Sequence, residues 1–281
     1  MTTTIPSAPP GSAPPPEQIP DRFTVLATGI NAVTPAAAIR VIGNWIARRE
    51  KHYVNVCNSA TVMQCYDRPD LAEIVNRSGL AVPDGMPLVW LGRWRRLPVA
   101  RVYGPDLLLA LCDIGQAAGY RHFLYGSTEP VLSDLQDRLR ARFPPIAIAG
   151  AYSPPFRDLT PAEEEEVVAL INGARPDIVW VGLGTPKQDY WVGRFRPRLD
   201  APVLIAVGAA FPFHAGRVPQ APRWMMRCGL EWLFRLCAEP RRLWRRYLVG
   251  NPRFAGLVVR QFLTGKPVVN VQPSSADRRA S

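Results

Sequence analysis

Ile178-Val179-Trp180-Val181-Gly182-Leu183-Gly184-Thr185-Pro186-Lys187-Gln188 sets an unbroken apolar run against a glycine-punctuated loop. A run without polar alternation is a strand buried on both faces, as in a parallel sheet lying between helical layers. The flanks repeat the unit. Upstream, residues 160–172 read as a helix: Thr160 caps it, Pro161 takes the first position and Glu163 completes a capping box. Downstream, residues 203–207 form another apolar run, ending in Gly208-Ala209-Ala210-Phe211. Farther out, residues 53–57, 80–82, 122–125 and 146–149 read as strands, and Pro35–Arg48 as an amphipathic helix. The alternation predicts an α/β fold with a mostly parallel sheet and helices on both faces. In such sheets ligands bind beyond the carboxyl ends of the strands.

The chain carries a net charge of +11 over 281 residues. Such a balance favours nucleic acid, an anionic membrane or a phosphate-bearing substrate. Five cysteines without a CxxC pair suit no disulfide framework and favour a reduced, cytoplasmic compartment. Three histidines without an HExxH pattern argue against zinc. No signal peptide is expected, and no apolar run reaches the roughly 18 residues of a membrane span. Membrane contact is therefore expected to be peripheral. The composition divides the chain into a disordered Pro-rich tail (1–21), an α/β core (22–221), a basic amphipathic helical appendage (222–264) and a second disordered tail (265–281).

The strand ends supply the candidate site. Asn58 follows the run at 53–57 and suits a helix N-cap, a ligand amide or both. Pro83-Asp84-Gly85-Met86-Pro87 holds one carboxylate in a turn among apolar residues, which suits a general base as well as a plain surface turn. In Gly104-Pro105-Asp106, Asp106 reads as the N-cap of a helix over 107–116, with ligand contact by the loop left open. Tyr125-Gly126-Ser127 fits a diphosphate or an ordinary strand-to-helix turn. In Gly182–Gln188, Lys187 and Gln188 can meet phosphate or sugar oxygens. The spacing is neither a Walker loop nor GxGxxG, and a glycine turn with a surface lysine fits equally.

Over residues 222–264, nine arginines face only Glu231 and Glu239. Leu230, Leu233, Phe234 and Cys237 share one helical stripe. Pro240 restarts a helix in which Leu243, Trp244, Tyr247 and Leu248 oppose Arg241, Arg242, Arg245 and Arg246. A basic helix with Trp and Tyr reads as a membrane-surface element, against a core-packed helix with a solvated basic face. A nucleic-acid partner is not expected, since no binding motif accompanies the charge.

Together these runs, with Arg101-Val102-Tyr103-Gly104-Pro105-Asp106 and Glu239-Pro240-Arg241-Arg242-Leu243, resemble the WecG/TagA/CpsF glycosyltransferases, glycosyltransferase family 26. The likeness spans residues 23–262. It implies a Rossmann-like fold and an inverting, metal-independent transfer from a UDP-sugar to an undecaprenyl-diphosphate-linked sugar in surface polysaccharide synthesis. The donor sugar would be of the N-acetylmannosamine, glucose or uronate type. Under that resemblance Asp84 is the base. Asn58, Gly104, Asp106, Tyr125, Gly126, Gly182, Thr185, Lys187 and Gln188 face the donor. Arg235, Arg242 and Arg245 meet the acceptor diphosphate, and no metal or other cofactor is expected. The protein would sit on the inner face of the cytoplasmic membrane, and its apolar C-terminal surface would also suit a homo-oligomer. Two departures stand out: Asp189 where the family usually has Glu, and Val56 where many members carry Thr. The rival reading is a non-catalytic membrane scaffold that binds nucleotide sugars.

Overall fold

The computed structural model describes residues 15–264. An antiparallel hairpin, β1 (Arg22–Val25) and β2 (Thr28–Asn31), precedes the main sheet. That sheet holds β3 (His52–Cys57), β4 (Leu80–Pro83), β5 (Arg121–Tyr125), β6 (Ala147–Tyr152), β7 (Ile178–Val181) and β8 (Val203–Ala206). The strands lie in the order β4-β3-β8-β7-β5-β6, and every pair is parallel. Connecting helices are α1 (Pro35–Arg48), α2 (Ser59–Asp67), α3 (Pro69–Arg77), α4 (Met86–Trp94), α5 (Gly104–Ala118), α6 (Glu129–Arg142), α7 (Pro161–Ala174), α8 (Lys187–Phe195) and α9 (Ala210–His214). The C-terminal region adds α10 (Arg223–Arg227), α11 (Glu231–Ala238) and α12 (Pro240–Trp244). A π-helical turn, Arg245–Val249, then runs into α13 (Gly250–Leu263).

The apolar strands are buried on both faces, as their composition requires. Ile178 and Trp180 of β7 pack with α1, α5 and α6 on one face. Val179 and Val181 pack with α7 and α8 on the other, which is the period-two alternation of a strand. A third cluster joins the hairpin to α2, α3 and α4, and Phe254 and Val258 of α13 seal it. The appendage is thus packed on the core. Arg253 donates to both carboxylate oxygens of Asp67 at 2.6 Å, and Leu26 N–H donates to Gln261 Oε1 at 3.0 Å.

Local signals act as written in the sequence. Thr160 accepts from Glu163 N–H at 3.3 Å, and the Glu163 carboxylate accepts from Thr160 N–H at 2.8 Å. Asn58 Oδ1 accepts from Ala60 and Thr61 N–H at 3.0 and 3.2 Å. Two boundaries differ from expectation. Helix α5 begins at Gly104, so Asp106 sits inside its first turn and Tyr103 holds the cap position. Pro105 can occupy a first-turn site whose N–H needs no partner, which moves the start upstream. Strand β6 runs to Tyr152, beyond 149, because pairing with β5 continues to Tyr125.

Residues 1–14 of the expected N-terminal tail and all of 265–281 lie outside the described residues. Residues 15–21 run beside α1: Asn44 Nδ2 donates to Pro15 O at 2.7 Å, and Asn44 Oδ1 accepts from Glu17 N–H at 3.2 Å. Among the described residues no helix is long and apolar enough to cross a membrane.

Beyond β7, Gly182 lies against the fully buried ring of Phe211, where a Cβ would stand 2.5 Å from Cδ2. Gly182→Ala should therefore cost about 1–3 kcal/mol by overpacking, read from urea denaturation.

Candidate active site

The carboxyl ends of β3, β4, β7 and β8 open onto one cleft of about 810 Å³. Parallel pairing puts them level: Cys57 stands beside Pro83, and Val181 beside Ala206. Asp84 is the next residue after β4, and its N–H donates to Cys57 O at 2.8 Å. The residues before α5 return along the same edge, where Val102 N–H donates to Pro83 O at 2.8 Å. That return brings Arg101 to Asp84. Arg101 Nη2 and Nε donate to Asp84 Oδ1 at 3.1 and 3.3 Å. The same Nη2 donates to Glu231 Oε2 of α11, and Tyr103 O–H donates to Glu231 Oε1 at 3.4 Å. The three side chains are 15–17% exposed.

The glycine loop is held from beneath. Gln188, buried under it, accepts from Gly184 N–H at 3.0 Å. Gly208 adopts φ +52, and a Cβ there would stand 3.0 Å from Gln188 Oε1, so glycine relieves both constraints. Asp189 is wholly buried and accepts from Asn55 Nδ2 at 2.6 Å, with Thr185 as a second side-chain partner. The short Asp189 side chain thus ties the loop to the middle of β3.

The model of the glycosyl transferase WecG/TagA/CpsF family matches residues 23–267. The chain belongs to this family. Among curated proteins it is similar to an N-acetylglucosaminyldiphosphoundecaprenol N-acetyl-beta-D-mannosaminyltransferase of Bacillus subtilis, 30% identical over 75% of this chain and 84% of that protein. The proteins of the same name from Bacillus spizizenii and Staphylococcus aureus are 28% and 29% identical, over 74% and 68% of this chain and 79% and 71% of theirs. The protein is a glycosyltransferase.

The transferase gathers some of the expected residues at the cleft and leaves others aside. Asn58, Asp84, Gly182, Thr185 and Gln188 line it, with Arg235, Arg242 and Arg245 from the appendage. Tyr125 is instead buried between Tyr152 and Trp191, with ring centroids 5.7 and 4.3 Å away. Its carbonyl serves the loop by accepting from Gly182 N–H at 2.8 Å. Gly126 packs against Gly182, and Gly104 against Val56 and Val207. Asp106 is engaged by Arg223 at 2.6 and 3.0 Å. Lys187 opens α8 with its side chain exposed to solvent. Val56 presents a methyl to the cleft where a hydroxyl would add a donor.

Three functional candidates escaped assignment from sequence: Arg101, Glu231 and Arg246. Arg101 lies in a quoted run, yet its partners are 17 and 130 residues away. The only legible trace of Glu231 is an acid among arginines. Arg246 was grouped with a basic surface, but it lines the cleft and donates to Asn58 Oδ1 at 3.4 Å. The expected amphipathic face divides likewise: Leu243 and Tyr247 are buried, while Trp244 and Leu248 are exposed. The π-helical turn at Arg245–Val249 changes the residue-to-face spacing there. Arg235 and Arg246 each keep a buried Nε–H without a hydrogen-bond partner.

Burial raises the Asp84 carboxyl to about 6; Arg101 opposes the shift and the Glu231 charge reinforces it. Burial also raises Asp189 to about 6, against the Asn55 and Thr185 hydrogen bonds. Glu231→Gln removes a like charge, so Asp84 should titrate below about 6. Carbon-13 NMR titration of the carboxyl measures this, and an upward shift contradicts the arrangement. For Asp189 the folded chain holds a proton that the unfolded chain has released. Its contribution to stability therefore falls as pH rises from about 4 to about 6, by at most about 3 kcal/mol. Urea denaturation of Asp189→Asn should show a flatter pH dependence across that window.

Proposed function

We propose that this transferase moves N-acetylmannosamine from its UDP-linked form onto N-acetylglucosamine carried on undecaprenyl diphosphate. The class of acceptor and sugar follows the names of the relatives. The observation that carries the reaction is Asp84: a carboxylate at the cleft, raised to about 6 by burial and oriented by Arg101. A base is most useful when its pKa lies near the working pH.

The donor diphosphate lies against the main-chain N–H groups of Leu183 and Thr185, in the loop that follows β7 and lines the cleft. The sugar acceptor enters between Asp84 and the appendage. Asp84 takes the proton of its hydroxyl, and that oxygen bonds to the anomeric carbon. The bond from this carbon to the UDP oxygen breaks on the opposite face, so the configuration inverts. Arg235, Arg242, Arg245 and Arg246 meet the diphosphate of the lipid carrier, since guanidinium groups match phosphate oxygens in charge and geometry. Fixed donors aimed at developing charge do the work otherwise done by a metal.

The reading also puts the protein on the cytoplasmic face of the membrane, in synthesis of an envelope polymer. The exposed Trp94, Trp244 and Leu263 and the arginines of the C-terminal region support this. Each basic residue near an anionic leaflet contributes about 1 kcal/mol.

The test is transfer from UDP-N-acetylmannosamine to a lipid-diphosphate-linked N-acetylglucosamine, read by mass spectrometry. Asp84→Asn should retain UDP binding in calorimetry and lose at least about 100-fold in turnover. A folded Asp84→Asn enzyme with near-normal turnover removes Asp84 as the base. In the native enzyme, activity should fall as pH drops through about 6, because the base becomes protonated.

A further inference from the structure

A second concavity, an apolar groove of about 890 Å³, runs between α4 and the appendage. Trp90 and Leu91 form one wall; Phe254, Val258 and Phe262 form the other. Gly229, in the turn before α11, packs closely on the Trp90 wall. It takes φ +74, and a Cβ there would stand 2.7 Å from the Trp90 indole.

The two ends of the groove differ. Its charged lining residues are Asp84, Arg101, Glu231, Arg235 and Arg246. All belong to the ion network or the arginine group at the cleft, and the groove opens into that cleft beside Asn58 and Asp84. The unpartnered Nε–H groups of Arg235 and Arg246 call for an anion at this junction. Away from it the lining is apolar and reaches Trp94 and Val259, 70% and 54% exposed. An occupant must therefore be anionic where it meets the cleft and hydrocarbon along the rest.

We propose that the groove between α4 and α13 holds the isoprenoid chain next to the diphosphate of the lipid-linked acceptor. This rests on the function proposed above. Groove and arginines together fix the acceptor's direction: hydrocarbon along α13, diphosphate at Arg235 and Arg246, sugar toward Asp84. A bulk lipid would bring no diphosphate to the arginines, and a second copy of the chain would need an anionic tip beside an apolar strip. The appendage then selects for the lipid carrier as well as contributing arginines.

The test uses sugar-free probes and the full chain. Farnesyl diphosphate and inorganic diphosphate are titrated by calorimetry, with quenching of Trp90, Trp94 and Trp232 as a second readout. Farnesyl diphosphate should bind at least about tenfold tighter, because hydrocarbon leaves water. Val259→Asp and Ala255→Asp lie on exposed positions of the groove wall. Each should abolish that gain, leaving inorganic diphosphate affinity and the thermal midpoint unchanged. Equal affinity for the two probes overturns the proposal, as does a gain that survives both substitutions. Displacement of farnesyl diphosphate by phosphatidylcholine vesicles alone assigns the groove to bulk lipid and overturns it too. So does a groove that is open only after a dimer dissociates. If the tail-dependent gain stands while sugar transfer fails, the groove assignment holds and the transfer reading falls.

Discussion

The Arg101 guanidinium stands between two carboxylates from distant parts of the chain: Asp84 at the end of β4 and Glu231 on α11. Taking three charges from water is costly, and their mutual attraction returns that cost only with good geometry. Here the geometry is set by the sheet. Main-chain bonds pin Asp84 to Cys57 and Val102 to Pro83, so Arg101 reaches its partner without rearrangement. Without the guanidinium, Asp84 and Glu231 would be two half-buried carboxylates facing the same space. The ion network therefore joins the appendage to the edge of the core that borders the cleft, and it does so at the carboxylate proposed to accept the proton.

A second set of buried polar groups lies under the glycine loop. Asn55 and Asp189 are within the core, and one oxygen of each has no partner. Such groups cost stability. Their effect is to hold Thr185 and the turn from Gly182 to Gln188 in one arrangement along the wall of the cleft. A site that must stabilise charge gains from donors that need not reorganise. Packing alone cannot supply that, because it does not orient an amide.

The appendage contributes differently. Helix α11 has no fully buried residue, so it has little core of its own. It is held by α13, whose Phe254 and Val258 enter the cluster beneath α2 and α4, and by the Arg253 pair with Asp67. The same packing leaves the apolar groove open between α4 and α13. One docking event thus delivers Glu231 and the arginines to the cleft and builds a wall beside it.

Much of the fold was legible locally. The limits of β7 and α1 agree with the sequence reading, because an apolar run and a cap followed by proline are short-range signals. Both capping boxes, at Asn58 and Thr160, involve residues three apart. Asp84 and Gly182 directly follow strands, and Thr185 and Gln188 lie in the loop and helix start behind β7, so all four could be placed at the common edge that strand ends face in a parallel sheet. Side-chain direction could not be read this way. Tyr125 ends a strand with its ring turned into the core, since alternation along β5 assigns that face to α7 and α8. Asp106 was shifted into α5 by one turn.

By itself, then, the sequence determined the parallel α/β architecture, the sheet edge on which the cleft opens and the arginine-rich character of the C-terminal region. Tertiary structure decided which charges meet. Arg101 with Glu231, Arg246 with Asn58 and Asp189 with Asn55 are separated by 130, 188 and 134 residues. Periodicity carries no information over such distances. Docking of the appendage on the sheet edge brings the first two pairs together, and packing of α8 on β3 the third; burial at the sheet edge gives Asp84 its raised proton affinity.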